Sequence, residues 1–305
     1  MDAVGDGENL LVPGVMEHIE RTGIHSGDSI SVYPAYSLPD AVVDKAIDYT
    51  ERIARALHVC GLMNVQYVYV GKEIYVIEVN PRASRTVPIL SKVTGVQMVK
   101  AATAVILGQK LPELEWGTGL YPKSGFYAVK VPVFSNAKLT DVDVALGPEM
   151  RSTGEVLGMD PDLDKALYKG FLGAGTEIFS GGGVYVSLRD HDKTEENAAV
   201  MGDWAAEGFA IYGSAGTSAF LKEHGVACEP VPFKQVGKMI SKEIQVVINV
   251  PQVTNNLSTD MFPLRRQAIE HGLPVLTCMD TARAYLKAVK VKKSGETLEY
   301  PPIFG

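Results

Sequence analysis

Polar side chains crowd the end of an apolar run. In EIYVIEVNPRASR (residues 73–85), Glu78 and Asn80 interrupt a β-branched and aromatic pattern, and Pro81, Arg82, Ala83, Ser84 and Arg85 follow at once. Side chains alternate along a strand, so Glu78 and Asn80 share a face. The preceding run, LMNVQYVYV (residues 62–70), brings Gln66 to that face if Gly71, Lys72 and Glu73 form a three-residue loop. Val70 then faces Ile74 and Gln66 faces Glu78, whereas a two-residue turn would set Gln66 against Ile77. Gly71 can supply the left-handed position the longer loop needs. A carboxylate and two amide oxygens suit a hard divalent cation that shares its shell with substrate phosphates. Arg82 and Arg85 add planar donors for phosphate or carboxylate oxygens. Together they suit a transferring phosphoryl group. A solvated sheet face with an ordinary salt bridge is the alternative.

A second cluster lies in FAIYGSAGTSAFLKEHG (residues 209–225), where Gly213, Ser214, Gly216 and Thr217 sit at a strand-to-helix turn. Free N–H groups at a helix start, with hydroxyls beside them, bind anions. A plain helix start capped by Ser or Thr fits the same residues.

The elements that must position these groups follow from periodicity and punctuation. Pro39 and Asp40 open a helix to about Val59, with Val43, Ala46, Ile47, Ile53, Ala54 and Leu57 along one stripe and Gly61 as its stop. Two strands follow at 62–70 and 73–80, the second read as part of a sheet buried on both faces, and a helix covers about 96–107. In GFYAVKVPVF (residues 125–134), Pro132 predicts a place near a sheet edge. Residues 145–175 are rich in Gly, Asp and turn residues, and the domain junction is expected near their end. Beyond it strands and helices alternate: GVYVSL, FAIYGS, QVVINV and PVLTC are separated by helical patterns, and DTARAYLKAVK (residues 280–290) ends the series. That pattern predicts a small parallel α/β sheet with helices on its faces. The expected division is 1–175, 176–290 and an irregular tail, 291–305.

The chain of 305 residues is 46% hydrophobic and 21% charged, with a net charge of -7. Two domains fit this length, and the acidity argues against a nucleic-acid or anionic-membrane binder. No apolar run approaches the roughly 20 residues that span a bilayer. Cys60, Cys228 and Cys278 are scattered without metal-ligand spacing. Reduced thiols and a cytoplasmic location are expected.

GLMNVQY followed by IYVIEVNPRASRTVPILSKVTG closely resembles the large subunit of carbamoyl-phosphate synthetase, as do MEHIERTGIHSGDSISVYPAYSLP upstream and LGPEMRSTGEVLG downstream. The resemblance covers residues 2–175 colinearly and is to the C-terminal synthetase half, an ATP-grasp module; it implies a partial ATP-grasp fold, α+β with a mixed sheet, followed by a small doubly wound parallel α/β domain. It implies that Gln66, Glu78 and Asn80 hold Mg²⁺ or Mn²⁺ between nucleotide phosphates. Arg82 and Arg85 would be catalytic, holding carbamate and the transferred phosphate. Gly23, Ile24, His25 and Ser26 would line the ribose and adenine side of the ATP pocket, with Gln66 and Glu78 at the phosphates. The implied reaction is phosphorylation of carbamate to carbamoyl phosphate, for arginine and pyrimidine biosynthesis.

The later segment resembles the family's allosteric domain, with a methylglyoxal-synthase-like fold. Lys193, Ser214, Thr217, Lys234 and Asn249 match positions that contact effectors. One departure matters. Nucleotide-regulated bacterial members carry an Asn-Thr-Thr-Ser-Gly-like loop, but here Asn249, Val250, Pro251, Gln252 and Val253 stand instead. INVPQVTNN looks more like the loop of the ammonia-dependent enzyme that answers to N-acetylglutamate, and Asn255 and Asn256 could replace the lost contacts.

The match begins inside the ATP-grasp fold, so a truncated or split enzyme, inactive alone, is expected. The expected partners are the rest of the large subunit, a small glutaminase subunit and a small anionic effector. Two other readings stay in view: a non-catalytic regulatory or assembly module, and an unrelated ATP-grasp carboxylase or ligase.

Overall fold

The protein, seen as a computed structural model, is described for residues 1–136, 138, 143–251 and 261–300. The first part holds β1 (Asp2–Asp6), β2 (Leu10–Gly14), β3 (Glu17–His18), β4 (Ser31–Tyr33), α1 (Asp40–Ala56), β5 (Cys60–Val70), β6 (Glu73–Asn80), α2 (Val87–Thr94) and α3 (Met98–Ile106). It continues through β7 (Gly119–Leu120), β8 (Tyr127–Val133), β9 (Gly154–Asp160) and α4 (Leu163–Gly173). The second part holds β10 (Gly182–Ser187), α5 (Glu195–Ala206), β11 (Phe209–Gly213), α6 (Ala215–Glu223), β12 (Glu229–Pro230), α7 (Phe233–Met239), β13 (Ile244–Asn249), α8 (Phe262–Glu270), β14 (Val275–Leu276) and α9 (Met279–Ser294).

One mixed sheet runs β6-β5-β1-β2-β7, and a four-stranded antiparallel sheet runs β3-β4-β8-β9. The third sheet, β12-β11-β10-β13-β14, is parallel throughout. This is the expected pairing of a mixed-sheet domain with a parallel α/β domain. β10 and β13 read as near-continuous apolar runs because helices cover both faces of such a sheet.

Several local expectations change. α1 stops before Gly61: Leu57 follows its last turn and His58 takes the left-handed backbone, at φ 50°. Leu57, placed on the apolar stripe by spacing, is exposed. The apolar segment after Arg85 forms a separate helix, α2, which ends at a left-handed Gly95. Strand β6 is not buried on both faces; it is the outer strand of its sheet, and Tyr75, Val76 and Ile77 are exposed. β8 is an interior strand, paired on both sides, yet Pro132 is tolerated. On one side its neighbour β4 begins at Ser31, opposite Lys130, so Pro132 lies past the end of that ladder.

The chain passes between the two parts near Gly175, but packing does not stop there. Leu167 and Phe171 of α4 share one apolar core with Val184, Trp204 and Tyr285. Trp204 stacks on Tyr285 with ring centroids 5.6 Å apart. α9 runs past Lys290 to Ser294, so the tail is shorter than expected. Residues 301–305, with Pro301 and Pro302, lie outside the described residues.

Candidate functional site

The face that carries the first cluster is set by a hairpin different from the expected one. Val70 pairs with Glu73, so only Gly71 and Lys72 form the turn, with Gly71 at φ 67°. A glycine at the first turn position is the demand of a two-residue hairpin turn. Gln66 nevertheless pairs with Glu78, because Tyr67 pairs with Val76 and Ile77 is an extra residue, a β-bulge.

Gln66 Nε2 donates to Ser26 Oγ at 2.5 Å, and Asn80 Nδ2 donates to Glu78 Oε1 at 2.9 Å. Both amide nitrogens are thus turned onto protein acceptors. The carbonyl oxygens and the exposed Glu78 carboxylate remain as the donor set for a hard cation. One carboxylate with two neutral oxygens fits Mg²⁺ or Mn²⁺ that completes its shell from phosphates. Among the described residues no group of three or more His, Cys, Asp and Glu could hold a metal ion by itself.

The loop at 23–28 reaches this face through Ser26. Gly23, at φ 104°, and the half-buried Ile24 enter it. His25 turns inward on the loop: its Nδ1 accepts from the Gly27 N–H at 3.0 Å, and its backbone N–H donates to the Gly147 carbonyl at 2.8 Å. The imidazole therefore shapes the loop, and Ser26 is the member that touches the strand pair.

The two arginines differ. Arg82 is exposed and donates to the Ala83 carbonyl of its own loop at 3.0 Å. Arg85 donates from Nη1 to Ser152 Oγ at 2.8 Å and from Nη2 to the Ser152 carbonyl at 3.2 Å. Asp2, buried in β1, supports that loop by accepting from Asn64 at 3.0 Å and from the Thr86 hydroxyl.

Single-residue reading missed the groups behind the loop. Lys130, 1% exposed, donates to the Ser26 carbonyl at 3.0 Å and the Gly27 carbonyl at 3.3 Å. Burial brings its ammonium down to about 8, opposed by the charges of Glu155, Glu20 and Asp28 and assisted by Arg85. Glu155 is pushed up by burial, with Lys130 and Arg85 pulling it down. Glu20 accepts from the Ile30 N–H at 2.7 Å and from Thr281 Oγ1 of α9 at 3.0 Å. Burial raises its carboxyl to about 7. A buried charge within AVKVPV was the available signal; its partners come from distant segments. A recess lined by Gly14, Tyr33, Leu38, Val43 and Leu120, among others, shares no residue with this site.

In the second domain Ser187, Gly213 and Asn249 end the neighbouring strands β10, β11 and β13. The C-terminal ends of parallel strands are where such sheets take ligands. Ser214 opens α6, and its hydroxyl donates to Thr217 Oγ1 at 2.9 Å. Thr217 Oγ1 also accepts the Leu188 N–H at 2.9 Å. Lys193 pairs with Asp190 at 2.6 Å and lies against Gly216. Lys234 is exposed in the first turn of α7. Asn249 is buried, and its Oδ1 accepts from Arg265 at 2.6 Å. Gln252, Val253, Asn255 and Asn256 lie outside the described residues.

Comparison with known proteins matches both parts. Residues 2–114 match the family described as carbamoyl-phosphate synthase L chain, ATP binding domain. Residues 196–277 match the MGS-like domain. The carbamoyl phosphate synthase large chain of Clostridium acetobutylicum is 53% identical over 302 residues, covering 98% of this chain and 28% of the relative. That of Lachnoclostridium phytofermentans is 46% identical over 303 residues, covering 97% and 28%. The chain thus spans 28% of the length of each. Among solved structures, the biotin carboxylase domain of a single-chain bacterial carboxylase aligns with a TM-score of 0.44 at 18% identity, over 57% of this chain and 45% of that one.

Proposed function

We infer, from a chain that is homologous to carbamoyl phosphate synthase large chains and carries their ATP-binding and MGS-like domains, that its first domain takes part in phosphorylating carbamate. The observation that carries this reading is the Gln66–Glu78 pair on one sheet face, with Ser26 of the 23–28 loop bonded to Gln66. ATP would lie over that face. Glu78, Gln66 and Asn80 would hold Mg²⁺ or Mn²⁺, which when bound neutralises phosphate charge. Gly23, Ile24, His25 and Ser26 would line the nucleotide beyond the phosphates. Arg85 would orient the transferred phosphoryl group, and Arg82, exposed beside it, would close on carbamate. Positioning and charge neutralisation supply most of such catalysis.

The second domain would bind a small anion at Ser214, Thr217 and Lys193, with Lys234 and Asn249 at its rim. The loop after Asn249, with Pro251 in place of an N–H donor, favours a carboxylate effector such as N-acetylglutamate over a nucleotide phosphate. The product would serve arginine and pyrimidine synthesis. The rest of a large chain and a small glutaminase subunit would be its partners.

ATP formation from carbamoyl phosphate and Mg·ADP tests the reading, with the chain alone and with the chain combined with the rest of a large chain. Activity in the combination, lost with Arg85→Ala, is expected. No activity in a folded, associated combination overturns it.

A further inference from the structure

Arg85 and Ser152 lie 67 residues apart, yet Ser152 is the only residue whose hydrogen bonds hold the Arg85 guanidinium among the described residues. Ser152 is itself fixed. It is 5% exposed, and its N–H donates to Asp28 Oδ1 at 2.9 Å, while the Arg151 N–H donates to Asp28 Oδ2 at 2.8 Å. Its hydroxyl, accepting from Arg85, donates onward to the Gly27 carbonyl at 3.2 Å. The fully buried Asp28 carboxylate thus clamps two successive backbone N–H groups and fixes the backbone that carries the Ser152 hydroxyl.

The same segment reaches the other domain. The Arg151 guanidinium donates to the carbonyls of Asp143 and, at 2.7 Å, Ala145, which folds residues 143–151 into a closed turn. The Asp143 carboxylate accepts from Arg265 of α8 through both oxygens, at 2.9 Å from Nε to Oδ1 and also from Nη2 to Oδ2. Arg265 is fully buried and bonds Asn249 Oδ1 with its remaining nitrogen, Nη1, at 2.6 Å. A two-pronged guanidinium–carboxylate pair fixes direction as well as distance.

We propose that Ser152 is a positioning residue for Arg85, and that its place is set from the second domain through Asp143 and Arg265. The inference rests on the reading of Arg85 as a phosphoryl-site residue for its functional meaning, but not for its geometry. Arg82 makes the contrast: among the described residues its guanidinium bonds only within its own loop. A change at Asn249 that moves Arg265 would shift Asp143, then residues 151–152, and so the Arg85 guanidinium.

The test follows the Arg85 Nη1–H protons, which donate to Ser152 Oγ, by nitrogen-15 NMR, their signals assigned by their absence in Arg85→Lys. Solvent exchange of those protons is expected to rise about tenfold in Ser152→Ala, the size expected for losing the one charge-assisted hydrogen bond to the hydroxyl. Ser152→Thr, which keeps the hydroxyl, is expected to restore the slow exchange. Asp143→Ala is expected to raise it as well, and to add nothing on top of Ser152→Ala. Asp143→Asn provides a milder second variant, with the same direction expected, if the alanine variant fails to fold. Unchanged exchange in Ser152→Ala overturns the positioning role, and unchanged exchange in the folded Asp143 variants overturns the link between domains. In the carbamoyl phosphate reaction, Ser152→Ala is expected to lower kcat with the KM for ADP unchanged. If Arg85→Ala leaves that reaction intact while the NMR effects appear, the brace stands and the assignment of Arg85 falls.

Discussion

Gln66 stands directly across the β5–β6 ladder from Glu78, and the bulge at Ile77 reconciles that pairing with a two-residue turn. A bulge lets one strand carry an extra residue without moving the pairs on either side. The Gln66–Glu78 face and the exposed strand end therefore coexist with a tight hairpin whose pairing begins at Val70 and Glu73.

Glu20 makes the contact between domains pH-sensitive. Its carboxyl, ordinarily near 4.5, lies at about 7 in the folded protein because burial penalises the charge. The folded state therefore keeps a proton that the unfolded state has released, and this contribution to stability is lost as pH rises from about 4.5 to 7. The size is on the order of 3 kcal/mol. Lys130, at about 8, titrates above that window. Glu20→Gln, which imitates the neutral acid, is expected to flatten the dependence in urea unfolding measured at pH 5 and pH 7.5. An unchanged difference between the two pH values would contradict it.

Gly158 of β9 has no room for a side chain. A methyl group there would overlap the backbone of Ala166 and Gly170 in α4. Gly158→Ala is expected to destabilise the protein by about 1–3 kcal/mol through overpacking. Thermal unfolding of this variant at wild-type stability would show that α4 can retreat from the sheet.

Thr217 serves as structure before it serves any ligand. Its hydroxyl oxygen satisfies the buried Leu188 N–H and receives Ser214. Thr217→Val keeps the shape and leaves that N–H unpaired, at a cost of about 1–3 kcal/mol. Thr217→Ser is expected to recover most of it. Denaturant unfolding of both variants checks this, and equal loss in both would point to packing instead.

Much of this architecture was legible in the sequence because alternation and turn residues are local. The strand pair, the alternating strands of the second domain and the shared face of Glu78 and Asn80 follow from period alone. The Ile77 bulge was not legible, since β-branched residues fit a bulge and a regular strand alike, and the expected three-residue loop reached the right pair by the wrong path. His58 as the stop of α1 was hidden by Gly61, the residue type that ordinarily takes a left-handed position. The braces are non-local. Nothing near Asp28 announces Ser152, nothing near Asp143 announces Arg265, and only the fold brings them together.

The most direct measurement is titration of the chain with Mn²⁺ and ADP, reading water-proton relaxation at bound manganese, in wild type and Glu78→Gln. The account predicts a ternary Mn·ADP complex in the wild type and affinity lower by about tenfold or more in Glu78→Gln, with far-ultraviolet circular dichroism unchanged. Equal affinity in the two folded proteins, or manganese binding indifferent to ADP, would contradict the assignment of Gln66, Glu78 and Asn80 as the metal face.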